Sequence, residues 1–90
     1  MLFMSIYTVE PENRDAVLKR GIEKGTMIPP GMEVLGDWGS LAGERSFRLV
    51  ETDDPKAFVT GAMAWTDLGK LEVYPVLPLE ELVKLIPDKK

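Results

Sequence analysis

The chain contains no cysteine and no histidine. That excludes disulfides and any metal centre built on thiolate or imidazole ligands. It also removes the usual base, and the sulfur nucleophile, of covalent catalysis. Lysine and arginine form no run, and 15 acidic side chains against 11 basic ones leave a net charge of −4. Such a balance argues against tracking a phosphate backbone or an anionic lipid surface. No stretch reaches the roughly 20 apolar residues of a membrane span. The apolar opening, Met1 to Val9, lacks the basic region and small-residue cleavage site of a secretory signal. The expectation is a cytoplasmic protein with no cofactor, no nucleic-acid partner and no membrane partner.

What is present points to a folded domain. Ninety residues make one domain, residues 1–90, and 44% apolar content is enough for a core. A chain this short buries only about 60% of its unfolded surface, and small domains commonly add a disulfide, a metal or a second subunit. With no cysteine or histidine to supply the first two, a second copy of the chain becomes the expected supplement.

Leu2 to Val9 reads as a strand. Pro11 and Glu12 then suit a first helical turn. Val17, Leu18, Gly21 and Ile22 mark the buried side of a helix running to Lys24, with Gly25 as a left-handed cap. Gly21 inside that helix is explained by a close approach to the sheet. Met32 to Trp38 and Glu44 to Thr52 are two strands joined through Gly39 and Gly43. Asp54 followed by Pro55 starts a second helix, whose inward stripe is Phe58, Ala62 and Trp65 with Gly61 beside it. Lys70 to Leu77 is the last strand, and Pro75 predicts that it lies at an edge. Leu79, Leu82, Val83 and Ile86 recur at helical spacing in a short terminal helix that Pro87 stops, leaving a frayed tail over 87–90.

Two strand–helix–strand units predict an α+β, ferredoxin-like βαββαβ sandwich with both main helices on one sheet face. Alternation then sets strand phase. Placing the most apolar set under the helices puts Leu2, Met4, Ile6, Phe47, Leu49, Leu71, Val73 and Leu77 there. The open face receives Phe3, Ser5, Tyr7, Ser46, Arg48, Val50, Glu72, Tyr74 and Val76. The phase of the second strand, and with it the side of Trp38, stays open. The mixed aromatic and polar face predicts a partner, most simply a second copy about a two-fold axis.

That face supplies the candidate site: Tyr7, Ser46, Arg48, Glu72 and Tyr74, joined by Trp38 or Trp65. Arg48 would hold a carboxylate or polarise a carbonyl, and a buried Glu72 would serve as a base with a raised pKa. The plainer alternative is an ion pair that sets register. The two tyrosines would donate to a ligand or stand at an interface with wet tips. Trp65, Thr66 and Asp67 would wall a pocket, or form a core tryptophan and a helix end. Glu51, Asp53 and Asp54 lack calcium-loop spacing, and capping explains Asp54 before Pro55, so no metal is expected. RNA-recognition modules share this topology and carry an aromatic motif on their third strand. Arg45 to Glu51 matches that motif at Phe47 and Val50, but Leu49 stands where a stacking aromatic belongs.

Several segments together resemble one family. They are Pro11-Glu12-Asn13-Arg14-Asp15, Val34-Leu35-Gly36-Asp37-Trp38, Phe47-Arg48-Leu49-Val50-Glu51-Thr52-Asp53-Asp54, Trp65-Thr66-Asp67-Leu68 and Pro75-Val76-Leu77. Nearly the whole chain is similar to a family of small prokaryotic domains of unknown function that looks like part of the dimeric alpha-beta barrel superfamily. The resemblance implies a ferredoxin-like fold, face-to-face pairing of two sheets, and a pocket between sheet and helices or within the barrel. Better-known members of that superfamily include antibiotic-biosynthesis-type monooxygenases, muconolactone isomerases and stress-responsive barrel proteins. Several use histidine, so their catalytic residues do not carry over to this chain. The functional expectation is a small-molecule-binding or enzyme-like cavity in a homodimer. Its alternative is a non-catalytic assembly or regulatory module that uses the same face only as an interface.

Overall fold

The computed structural model describes residues 1–87. The expectation of a frayed tail therefore falls, beyond Pro87, outside the described residues. The elements follow one another as β1 (Leu2–Val9), a 3-10 turn (Pro11–Asn13), α1 (Arg14–Lys24), β2 (Glu33–Gly39), β3 (Arg45–Glu51), α2 (Ala57–Trp65), β4 (Gly69–Val76) and α3 (Leu79–Lys84). Among these residues no helix is long and apolar enough to cross a membrane.

Local signals explain most of these boundaries. Gly25 ends α1 at φ +69°, its N–H donating to the Gly21 carbonyl, where a side chain would be strained. Asp54 accepts from the Lys56 N–H at 3.2 Å, and the Phe58 N–H donates to the Pro55 carbonyl. The expected start signal thus folds as a turn that leads into α2. Thr52 is buried, and its hydroxyl donates to the Gly31 carbonyl at 2.9 Å. That bond fastens the proline-containing connection ahead of β2 to the end of β3.

The sheet is antiparallel in the order β2-β3-β1-β4, which is the ferredoxin-like arrangement. Pro75 sits on an edge strand, as its missing donor requires. Phe3 lies opposite Val50 and Pro75, Ser5 opposite Arg48 and Val73, and Tyr7 opposite Ser46 and Leu71. Residues directly opposite in an antiparallel ladder share a face.

Side-chain contacts decide which face the helices cover, and they reverse the expected phase of two strands. The Phe3 ring meets Phe58 of α2 edge-on with centroids 5.3 Å apart, and Tyr7 meets Trp65 at 6.0 Å. Phe3, Ser5, Tyr7, Ser46, Arg48 and Val50 therefore lie under the helices, where the open face was expected. Leu2, Met4, Ile6, Phe47 and Leu49, expected inside, lie on the side away from α1 and α2. Leu71 and Val73 do face the helices, and Glu72, Tyr74 and Val76 lie on the open face, as expected. Leu77 falls beyond β4 and is exposed. Of the hydrophobic side chains described, only Phe3 and Val50 are buried, Val50 fully, and both are on the helix side.

Two further details depart from expectation. In α1 the inward stripe is Val17, Arg20 and Gly21, whereas Leu18 and Ile22 point to solvent. Gly21 approaches α2 and not the sheet, since a Cβ there would sit 4.0 Å from the Trp65 ring. In β2 the register shifts between Val34 and Gly36, so Leu35 is an extra, bulged residue. The bulge breaks the alternation and explains why the side of Trp38 could not be read from spacing. Trp38 lies on the open face, opposite Phe47.

Candidate functional site

A cavity of about 240 Å³ lies between the helix side of the sheet, α1, α2 and the α1–β2 connection. Its floor is Ser5, Tyr7, Ser46, Arg48, Val50 and Leu71. Val17 and Gly21 of α1 and Phe58, Gly61 and Trp65 of α2 form the roof. Residues from Gly25 to Pro29 close one side, with Met27 at φ +51°, an uncommon conformation for a residue with a side chain. α2 stands on the Phe3–Phe58 and Tyr7–Trp65 contacts at separate points of the sheet, and the space between those supports is left unfilled.

The polar part of the floor is set by register. Ser5 lies across from Arg48 and Tyr7 across from Ser46, so four polar side chains from two adjacent strands form one cluster. Arg48 donates from Nη2 to Asp37 Oδ2 at 2.7 Å and from Nε to the same oxygen at 3.3 Å. Asp37 sits directly opposite Arg48 on the neighbouring edge strand. Tyr7 is fixed by a hydrogen bond from its hydroxyl to the Trp65 carbonyl at 2.6 Å. Burial pushes the Tyr7 hydroxyl pKa up, the Asp67 charge pushes the same way, and the Arg20 charge opposes both. Tyr7 is thus a neutral donor at physiological pH.

Beside the cavity, side chains from other elements satisfy carbonyls at the end of α2. Arg20 donates to the Ala64 carbonyl at 2.8 Å and grips Asp67 with both terminal nitrogens, at 2.7 and 2.8 Å. Its guanidinium also lies 5.8 Å from the centre of the Trp65 ring. Asn13 donates to the Leu68 carbonyl at 3.0 Å. These groups would otherwise be orphaned acceptors at a helix C-terminus. The hydrogen bond from Arg20 holds the Asp67 carboxyl below the usual carboxylate range, with the Arg20 charge in the same direction. Trp65 therefore serves both as a packed aromatic and as a cavity wall, while Asp67 belongs to this clamp.

Tyr7, Ser46, Arg48 and Trp65 of the expected site come together around the cavity. Glu72, Tyr74 and Trp38 do not, because they occupy the other face. The expected Arg48–Glu72 pair does not form: Arg48 takes Asp37, and Glu72 accepts from the Tyr74 hydroxyl at 2.5 Å. That hydrogen bond, with help from the Lys70 charge, lowers the Glu72 pKa. The expectation of a raised Glu72 pKa is reversed accordingly, since the carboxylate is neither buried nor unpartnered. Asp37, Arg20 and Asn13 were missed. Arg20 was in principle legible, one turn beyond Val17 and beside Gly21. Asp37 was hidden behind the Leu35 bulge.

Trp38 has its own setting. A Cβ at Gly36 would fall 2.2 Å from the Trp38 ring, so the indole lies across the glycine on the open face. Leu2, Met4, Ile6, Phe47 and Leu49 continue that face, and Trp38 and Tyr74 are about half exposed. Among the described residues, α1 and α2 lie on the opposite side of the sheet from these side chains.

A family model described as a domain of unknown function, DUF3303, matches residues 1–90, and the chain belongs to that family. No curated protein and no solved structure matches it.

Proposed function

We propose that this chain is a small-molecule-binding protein that works as a homodimer, its ligand held between sheet and helices and its second copy seated on the opposite sheet face. The observation that carries the binding half is the cavity itself: apolar walls around a converging cluster of Ser5, Tyr7, Ser46 and Arg48. Small-molecule sites have this composition, with few polar groups in a mostly apolar enclosure. No carboxylate lines the cavity among the described residues, so a base that would abstract a proton there is missing. Binding is therefore favoured over acid–base turnover. The assembly half rests on the uncovered apolar face, which a second sheet would bury.

Thermal unfolding against a library of small apolar metabolites tests the first half. A ligand at 100 times its dissociation constant stabilises by about 2.7 kcal/mol, which moves the midpoint of a domain this size by roughly 10 °C or more. Light scattering across a dilution series tests the second, where a dimer mass is expected. A persistent dimer whose midpoint no compound moves would support the alternative, an assembly or regulatory module. A monomer at all concentrations would remove the homodimer from the proposal.

A further inference from the structure

The cavity's charge is unbalanced. Arg48 is the one charged side chain among the described residues that line it, and Asp37, its ion-pair partner, is not among them. Asp37 approaches from the edge strand, is about half exposed, and engages Nε and Nη2 through a single oxygen. The remaining terminal nitrogen, Nη1, donates to no described group. The Ser5 and Ser46 hydroxyls flank it on the same face, and neither has a hydrogen-bond partner among the described residues. A half-open apolar cavity therefore presents one cation with donors to spare at its edge, with the Ser5 hydroxyl and the exposed Ser46 hydroxyl beside it. A planar carboxylate matches a guanidinium in geometry and charge. A dianion would need a second cation that the lining does not offer.

Building on the proposed cavity function, we infer that the occupant is a small organic monocarboxylate with an aromatic or branched aliphatic body, recognised by Arg48. The walls suit such a body, with Val17, Ile28, Val50, Phe58, Trp65 and Leu71 as its neighbours. The size fits too, because about 240 Å³ is below the roughly 300–1,000 Å³ typical of drug-sized ligands. Asp37 then acts as a placeholder, holding the guanidinium in position until the ligand carboxylate shares it.

Matched probes separate this inference from the reading beneath it. Benzoate and 3-phenylpropionate would be titrated beside benzamide and 3-phenylpropionamide by calorimetry at physiological salt. The wild-type chain would be compared with Arg48→Gln and Asp37→Asn. The wild type is expected to bind the acids at least tenfold more tightly than their amides, as a charge-assisted hydrogen bond implies. Arg48→Gln should erase that preference. Asp37→Asn should tighten acid binding by about two- to fivefold, the worth of a partly exposed competing pair. Should Arg48→Gln not fold, the Asp37→Asn titration decides alone, and unchanged acid affinity overturns the inference. Equal binding of acids and amides overturns it as well, but leaves the cavity as a ligand site. Failure of all four probes to bind at millimolar concentration overturns the inference, while the cavity reading itself falls only if no compound of the metabolite library moves the unfolding midpoint.

Discussion

On the helix side of the sheet, Ser5, Tyr7, Ser46 and Arg48 stand among apolar neighbours beneath two helices. On the other side, Leu2, Met4, Ile6, Phe47 and Leu49 face away from both helices. The centre of that second face is apolar and half-buried, bordered by Arg45, Lys70 and Glu72, and neither α1 nor α2 packs on it. Covering a sheet face does not require it to be oily throughout, provided that its polar groups are paired or line a cavity. An apolar face without a helix is costly in water, which is the physical pressure toward a second copy.

Two phenylalanines on opposite faces give the largest test of this contrast. Phe3 is buried against Phe58, and Phe3→Ala should cost about 3–5 kcal/mol by emptying packed space. That is much of the roughly 5–13 kcal/mol expected of a 90-residue domain, and the loss should not depend on protein concentration. Phe47→Ala, on the opposite face, should lower the midpoint less and, if that face seats the proposed second copy, by an amount that grows with protein concentration through mass action. Chemical denaturation at two concentrations a hundredfold apart checks both. A concentration-independent Phe47→Ala would break the comparison and return that face to solvent.

The topology was legible in the residues, and the reason is local. Proline at or just before the helix starts, Gly25 at a helix end and Pro75 on an edge strand each act through the backbone geometry of the residue itself. The site was legible only in part. Ser46, Arg48 and Tyr7 stood out as polar residues on apolar strands, and they do meet at the cavity. Their face was misassigned because period-two alternation tells the two faces apart but not which one the helices cover. When both faces need covering, greater apolarity is no guide. Glu72 was grouped with Arg48 on the same assumption, though cross-strand pairing sets Glu72 opposite Ile6 and Arg48 opposite Ser5. Asp37 could not be found at all, since one bulged residue, Leu35, reverses the phase of everything after it in β2.

A smaller test compares the two tyrosines. Tyr7→Phe keeps the ring against Trp65 but removes the hydroxyl that donates to its carbonyl, a loss of about 0.5–1.5 kcal/mol. The Tyr7 pKa is raised, first by burial. Its contribution is therefore complete below pH about 10, where the unfolded side chain begins to ionise, and is lost as pH rises through the folded value. Tyr74 shares the direction, but its cause is the hydrogen bond to Glu72 and then that carboxylate's charge, on an exposed surface. Unfolding measured between pH 9 and 11.5 should show a gentler alkaline decline in either Phe variant than in the wild type. Molar salt should reduce the Tyr74 difference through screening and leave most of the Tyr7 difference. Equal salt sensitivity would mean that burial does not distinguish the two faces at these positions.

The smallest effect is expected at low pH, where two depressed carboxylates again divide between the faces. Asp67 is held down by the Arg20 hydrogen bond, and Glu72 by the hydrogen bond from Tyr74. A folded pKa below the unfolded one contributes stability that is present above the ordinary carboxylate range, about pH 4, and disappears as pH falls through the folded value. Asp67→Asn should flatten the acid limb of the stability profile below pH about 4. The change should be modest, because Arg20 keeps the Ala64 carbonyl and the Trp65 ring after the carboxylate is gone. Glu72→Gln should flatten it in the same sense. If the uncovered face is the dimer interface, however, only the Glu72 effect should vary with protein concentration. Acid titrations of both variants at high and low concentration make that distinction, and identical concentration dependence at the two sites would place Glu72 outside any interface.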